Sequence, residues 1–191
     1  MTGKRIATLL KRLLPFGLPW NQPACVRQFS EEDCGAACLA TVCRSHGHTV
    51  PISLVRQLVG TTDQGTTLLG LRRGAEQLGF HVRAARSDAS LLEQLDQIPR
   101  PLICHWRGHH WVVLHGRSGV HLLVADPGLG LLRLTMPEFL SGWEDGIVLL
   151  LEPDPVRFPP RISREAQGAV GGLAVIGRYV LPFRTLLLQV L

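Results

Sequence analysis

The run His110-Trp111-Val112-Val113-Leu114-His115-Gly116-Arg117-Ser118-Gly119-Val120-His121-Leu122-Leu123-Val124-Ala125-Asp126 constrains the fold more than any other stretch of the chain. Two apolar segments flank Arg117-Ser118-Gly119, a three-residue hairpin loop whose last glycine takes the left-handed conformation. This reading pairs Gly116 with Val120, Leu114 with Leu122, Val112 with Val124 and His110 with Asp126. Residues directly opposite have Cβ atoms about 4.5–5.5 Å apart, so the register sets a carboxylate beside an imidazole at the end far from the turn. It also sets His115 across from His121 on the other face, a structural or solvent-exposed pair.

Other short apolar or alternating runs read as strands at 81–85, 101–106, 131–135 and 147–151. Three helices come before them. Asp33 can cap one from Cys34 to about His46 that stops at Gly47, a second spans 52–59, and a third runs from Thr67 to Leu78 and stops at Gly79. Helices followed by antiparallel strands define an α+β fold, with N-terminal helices packed on an antiparallel sheet.

At 191 residues the chain has room for one well-buried domain, placed at 23–153, and appendages. Residues 1–22 form a basic amphipathic segment, with Lys4, Arg5, Lys11 and Arg12 between Ile6, Leu9, Leu10, Leu13 and Leu14. It suits an acidic membrane surface or ordinary packing equally. Residues 154–167 read as a stiff, proline-rich linker. Residues 168–191 are apolar but broken by Arg178, Pro182 and Arg184, a juxtamembrane helix and the truncated start of a first transmembrane span.

The net charge of +5 is carried by scattered arginines and only two lysines, so nucleic acid is not an expected partner. Five cysteines without a secretory signal read as reduced thiols in a cytosolic compartment. No cofactor is expected. Cys34 and Cys38 lie one helical turn apart with His46 and His48 downstream, but no second cysteine pair completes a zinc site, and a three-residue spacer is not a redox motif. Cys38, Cys43 and Cys104 read as buried packing residues.

Cys34 differs because it opens its helix, where unpaired backbone N–H groups and the helix dipole stabilise a thiolate. Gly35, Ala36 and Ala37 leave space for a substrate backbone, and the Cys34 N–H is half of an oxyanion hole. Of the eight histidines, His46 and His48 read as helix-end surface groups, and His81, His105, His115 and His121 as ordinary strand positions. Within His109–His110 the hairpin register favours His110 as the base, oriented by Asp126 in the manner of a triad.

Gln28, the segment Asp33-Cys34-Gly35-Ala36-Ala37-Cys38-Leu39, the run His110-Trp111-Val112-Val113-Leu114 and Ala125-Asp126-Pro127 together resemble the C39 peptidase family. The segments Gly65-Thr66-Thr67 and Ala75-Glu76-Gln77-Leu78-Gly79-Phe80 add to the likeness, which covers about 24–153. In that family a papain-like domain begins ABC transporters that mature and export bacteriocins and other peptides.

The resemblance implies Cys34 as nucleophile, His110 as general base and acid, Asp126 as orienting carboxylate and Gln28 as the second oxyanion donor. It implies a double-glycine leader peptide as substrate, an inner-membrane location with the peptidase domain cytoplasmic, and a homodimer in the full transporter. The transmembrane and ATPase parts of such a transporter are absent from this sequence. Neither lysine stands in a phosphate-binding loop, so ATP binding belongs to the family and not to this chain. A non-catalytic C39-like docking domain is the alternative, although such domains lose the cysteine that this chain keeps.

Overall fold

The structure is a computed structural model, and it describes residues 23–158. The expected amphipathic segment at 1–22, the apolar segment at 168–191 and the linker beyond 158 lie outside the described residues. Helix α1 (Cys34–Ser45), α2 (Ile52–Val59) and α3 (Leu68–Gln77) precede a strand β1 (Phe80–Arg86). A short helix α4 (Ala89–Glu93) leads to β2 (Leu102–Trp106), β3 (His110–Ser118), β4 (His121–Asp126) and β5 (Gly130–Thr135). Helix α5 (Met136–Gly142) and β6 (Ile147–Pro153) complete the order. All six strands form one sheet in the order β1-β6-β2-β3-β4-β5, and every pairing is antiparallel.

The strands alternate between two cores, as period-two side chains must. Ile103, Trp111, Val113, Ala125, Leu149 and Leu151 meet α1–α3 on one face. Cys104, Val112, Leu114, Val124 and Val148 meet Leu92, Leu95, Phe139 and Trp143 on the other. Each fully buried leucine or phenylalanine contributes about 1.5–3 kcal/mol, so covering both faces matters. The helices expected from the sequence cover only one face. The second is covered by α4, α5 and a 3-10 turn at Leu95–Gln97, none of which the hydrophobic periodicity announces. Helix α5 did carry a legible signal: Glu138 accepts both the Thr135 N–H and its hydroxyl at 2.7 Å, the Thr-x-x-Glu spacing of a helix start.

Helix α1 is buried from Cys34 through Cys43. Its glycine and alanines allow this close seating, and the left-handed Gly47 ends it as expected. Asp33 does not cap it: its side chain makes no cap hydrogen bond. The carboxylate is instead wholly buried and meets the Arg56 guanidinium of α2 at 2.8 Å.

The β3–β4 register differs from the expected one by two positions as far as Leu114 and by three beyond it, where Gly116 faces Leu123 instead of Val120. Leu114 faces Val124, not Leu122. Strand β3 runs on to Ser118, which pairs with His121 across a two-residue turn at Gly119-Val120, and a bulge at His115 absorbs the extra residue. His115 therefore does not face His121, and its Nε2 donates to the Ala24 carbonyl at 2.8 Å. On the site side of the bulge the shift of two keeps the side chains on their expected faces.

Residues Asp154–Phe158 form a turn where a stiff extended linker was expected to begin. Asp154 Oδ1 accepts the Val156 and Arg157 N–H groups, and Phe158 packs on Phe80 with ring centroids 4.7 Å apart. His46 and His48, expected at the surface, join this cluster through contacts with Phe158.

Helices α2 and α3 cross closely at Gly70, where an added Cβ would lie 2.2 Å from the Val59 carbonyl oxygen. Glycine to alanine ordinarily stabilises a helix interior by about 1 kcal/mol; here the clash reverses the sign. Gly70→Ala is expected to destabilise the fold by about 1–3 kcal/mol, read from urea unfolding midpoints.

Candidate active site

Cys34, His110, Asp126 and Gln28 all line one cleft of about 860 Å³. Its walls come from both sides of the domain. The N-terminus of α1 and the loop Asp63–Leu68 form one side, and the ends of β2, β3 and β4 the other. Cys34 is 4% exposed at the first position of α1. The small residues after it do not serve access, contrary to the sequence reading. An added Cβ at Gly35 would lie 2.7 Å from Thr66 Cβ, and Ala36 and Ala37 are fully buried. Those positions let the Thr66 loop close over the helix, where the Thr66 carbonyl accepts the Trp111 indole N–H at 2.9 Å.

His110 begins β3 and is held from two directions. It pairs with Trp106 across the β2–β3 turn, and its Nε2 donates to Asp126 Oδ1 at 3.1 Å. By continuation of the register Asp126 stands opposite Val112, so the His110 contact is diagonal, a reach of about 7–8 Å between backbones that a long side chain spans. The two residues meet as expected, through a different register. Nε2 is engaged with the carboxylate, so Nδ1 is the ring nitrogen left over, and the Cys34 thiol is among the groups that act on the imidazole. The neighbouring His109 is exposed, with its Nδ1 on the Arg107 carbonyl at 2.7 Å.

Burial disfavours the His110 imidazolium, but hydrogen bonds to Asp126 and Cys34, together with their charges, outweigh it and raise its pKa to about 9. Burial likewise works against the Asp126 carboxylate, and the hydrogen bonds from His110, Leu129 and Gly128 overcome it, holding the group below its usual range. The Asp126 Oδ1 atom also accepts the Gly128 N–H at 2.7 Å and the Leu129 N–H at 3.1 Å. Asp126 is thus a turn residue and a histidine partner at once.

Gln28 approaches from the extended segment before α1, anchored by its N–H to the Pro127 carbonyl at 3.1 Å. Its amide lies against Gly128, where an added Cβ would sit 3.8 Å from Nε2 and 3.3 Å from Asp126 Oδ1. Cys38, Cys43 and Cys104 are buried, and burial pushes their thiols up, Cys43 to about 12. They are poor nucleophiles in these places. The cleft contains one residue that the sequence reading treated as ordinary: His105, on β2. Strand periodicity carries no signal for it, because its partner Asp145 is 40 residues away.

A helix-borne cysteine facing a strand-borne histidine with a carboxylate behind it, on an α+β frame, defines a papain-like cysteine peptidase domain. The family model described as "Peptidase C39 family" matches residues 23–156, and the chain belongs to that family. A lactococcin transport/processing ATP-binding protein of Lactococcus lactis subsp. lactis, LcnC-like, is 36% identical over 140 residues. The match covers 70% of this chain and 19% of that protein, so the chain spans about a fifth of the relative's length.

Among solved structures, the peptidase domain of Streptococcus ComA, a bifunctional ABC transporter of a quorum-sensing pathway, superposes with a TM-score of 0.64 at 32% identity. That match covers 69% of this chain and 99% of that one. A double-glycine-motif protease from an AMS/PCAT transporter, solved with its leader peptide, gives a TM-score of 0.62 at 31% identity, covering 68% and 90%. Among the described residues no helix is long and apolar enough to cross a membrane.

Two outcomes test these electrostatics. A histidine whose folded pKa is raised from 6.5 to about 9 adds stability that is complete below pH 6.5 and is lost as pH rises through about 9. The stability advantage of the unmodified protein over His110→Gln should therefore shrink across that window in urea titrations at stepped pH; a constant gap contradicts the assignment. Arg56→Met leaves the Asp33 carboxylate buried without its counter-charge, and should cost about 1–3 kcal/mol of unfolding free energy at neutral pH.

Proposed function

We propose that this chain is a cysteine endopeptidase that removes a double-glycine leader from a peptide precursor. The observation that carries the reading is the His110 imidazole, held by Asp126 at Nε2 and lining the same cleft as the neighbouring Cys34 thiol. At neutral pH the imidazole keeps its proton, the form that stabilises a neighbouring thiolate. The Cys34 sulfur attacks the carbonyl carbon of the second glycine, and the carbonyl electrons move to oxygen. The Cys34 N–H and the Gln28 side-chain amide donate to that oxyanion.

As the tetrahedral intermediate collapses, the C–N bond breaks and His110 gives its proton to the departing amine. The leader remains as a thioester on Cys34. His110, now neutral, takes a proton from a water molecule that attacks the thioester, the C–S bond breaks to return Cys34 as a thiolate beside the imidazolium, and the leader leaves as a free acid. Asp126 keeps the imidazole in one tautomer and orientation throughout. Relatives named as transport/processing proteins support an export context. In it the chain works at the cytoplasmic face of the inner membrane, beside the transmembrane and ATPase parts of an ABC transporter and as one half of a homodimer. Residues 23–158 are the peptidase domain in this reading, since the turn Asp154–Phe158 packs on it, and the linker follows.

Incubating the protein with a synthetic double-glycine leader joined to a short cargo, followed by mass spectrometry, tests the proposal. Cleavage after the second glycine is expected, with none by Cys34→Ala or His110→Ala. Gln28→Ala should lower kcat by about 10²–10³-fold, the loss typical of one oxyanion donor. Asp126→Asn should still bind the leader while turning over slowly. No cleavage by the unmodified protein, or equal cleavage by Cys34→Ala, sinks the peptidase reading and leaves a docking domain in its place.

A further inference from the structure

The cleft contains a second histidine–carboxylate pair that the reaction above does not use. His105 lies on β2 directly opposite Trp111 on β3, and the two rings pack with centroids 4.6 Å apart. Its Nδ1 meets Asp145 Oδ2 at 2.5 Å, while Asp145 Oδ1 accepts the Ile147 N–H at 3.0 Å. Burial works against the Asp145 carboxylate, and these two hydrogen bonds, together with positive charge nearby that includes Arg86, hold it below its usual range and ionised. An ionised carboxylate accepts only, so the Nδ1 of His105 carries the proton. In the neutral ring that leaves Nε2 as an acceptor. Nε2 has no hydrogen-bond partner among the described residues, and the ring, 19% exposed, forms part of the wall of the cleft that contains Cys34 and His110.

A peptide whose recognition element is two glycines offers a protein no side chains there, only backbone N–H and C=O groups. The oxyanion donors answer a carbonyl, and an acceptor is needed for the N–H groups. A peptide N–H carried into a half-buried cleft without an acceptor loses its bond to water, at a cost comparable to a lost hydrogen bond. The Cys34, Gln28 and His110 groups are committed to the reacting carbonyl and the leaving amine. In its neutral form His105 is an aromatic-backed acceptor in the same wall, its tautomer set by Asp145 and its ring packed on Trp111.

We infer that His105, oriented by Asp145, is a substrate-binding residue whose Nε2 accepts a backbone N–H of the glycine pair. The inference rests on the double-glycine reading above and names how that same site recognises it.

The test measures leader-peptide affinity in a Cys34→Ala background by fluorescence anisotropy, so that turnover is not needed. His105→Phe keeps the ring stacked on Trp111 and removes the acceptor; it should weaken binding about tenfold. Asp145→Asn can donate to Nδ1 and turn Nε2 into a donor, giving a similar loss, whereas His105→Gln, with an acceptor carbonyl, should recover part of it. Leaders with sarcosine in place of either glycine, which lack one N–H, probe the unaltered site without risk to folding.

Sarcosine at the contacted position should weaken binding to the His105 protein and change binding to His105→Phe by less than twofold. Independent, fully multiplying losses at both glycines overturn the inference, as does unchanged affinity of a folded His105→Phe. Absence of leader binding by Cys34→Ala overturns it as well. Failure of the peptidase reading is distinguishable, because it appears as binding without cleavage by the protein that keeps Cys34. In that protein the His105→Phe effect should fall on KM more than on kcat; a loss in kcat alone contradicts a ground-state contact.

Discussion

One carboxylate oxygen organises the site. Asp126 Oδ1 takes the N–H groups of Gly128 and Leu129 and the Nε2 proton of His110. The first two bonds shape the turn from β4 to β5, and the third points the imidazole. Because the turn and the proposed catalytic geometry share an atom, the imidazole is aimed by backbone structure rather than by a free side chain. The same turn anchors Gln28, whose N–H bonds to the Pro127 carbonyl. Losing the Asp126 carboxylate therefore loosens two site residues and not one.

Around that turn, the residues adjacent to the thiol serve packing. Gly35 is small because Thr66 presses on it, and Asp33 is buried because Arg56 neutralises it. Both partners belong to α2 or the loop after it, so the second helix and its loop hold the first in place against the sheet. The thiol keeps its position at a helix start, where backbone N–H groups collect, with no capping side chain from Asp33. The 3-10 turn Glu31–Asp33 leads the chain into that start.

The three long helices, the six strands and the meeting of His110 with Asp126 were legible because local periodicity and glycine stops encode them. The register was not. A three-residue loop and a two-residue turn with a bulge fit the same letters, and the choice depends on how β3 and β4 pair with their neighbours. A difference of two residues preserves the face, so His110 and Asp126 still meet; a difference of one would turn Asp126 away. Helix α5 was readable in its Thr135 and Glu138 spacing. The His105–Asp145 pair was not readable, because it joins residues 40 apart through tertiary structure alone.

The sheet order places β6, the last strand, between β1 and β2. A chain emerging in order from the ribosome can form the β2–β5 meander and gather its three helices, but the sheet has a gap until Ile147–Pro153 arrives. Its insertion joins the helical half, through β1, to the half that contains His110 and Asp126. Asp145 sits just before that strand, so the His105 pair is completed in the same step. A nascent chain arrested before residue 147 would thus own every proposed catalytic side chain and still lack the seam that unites them.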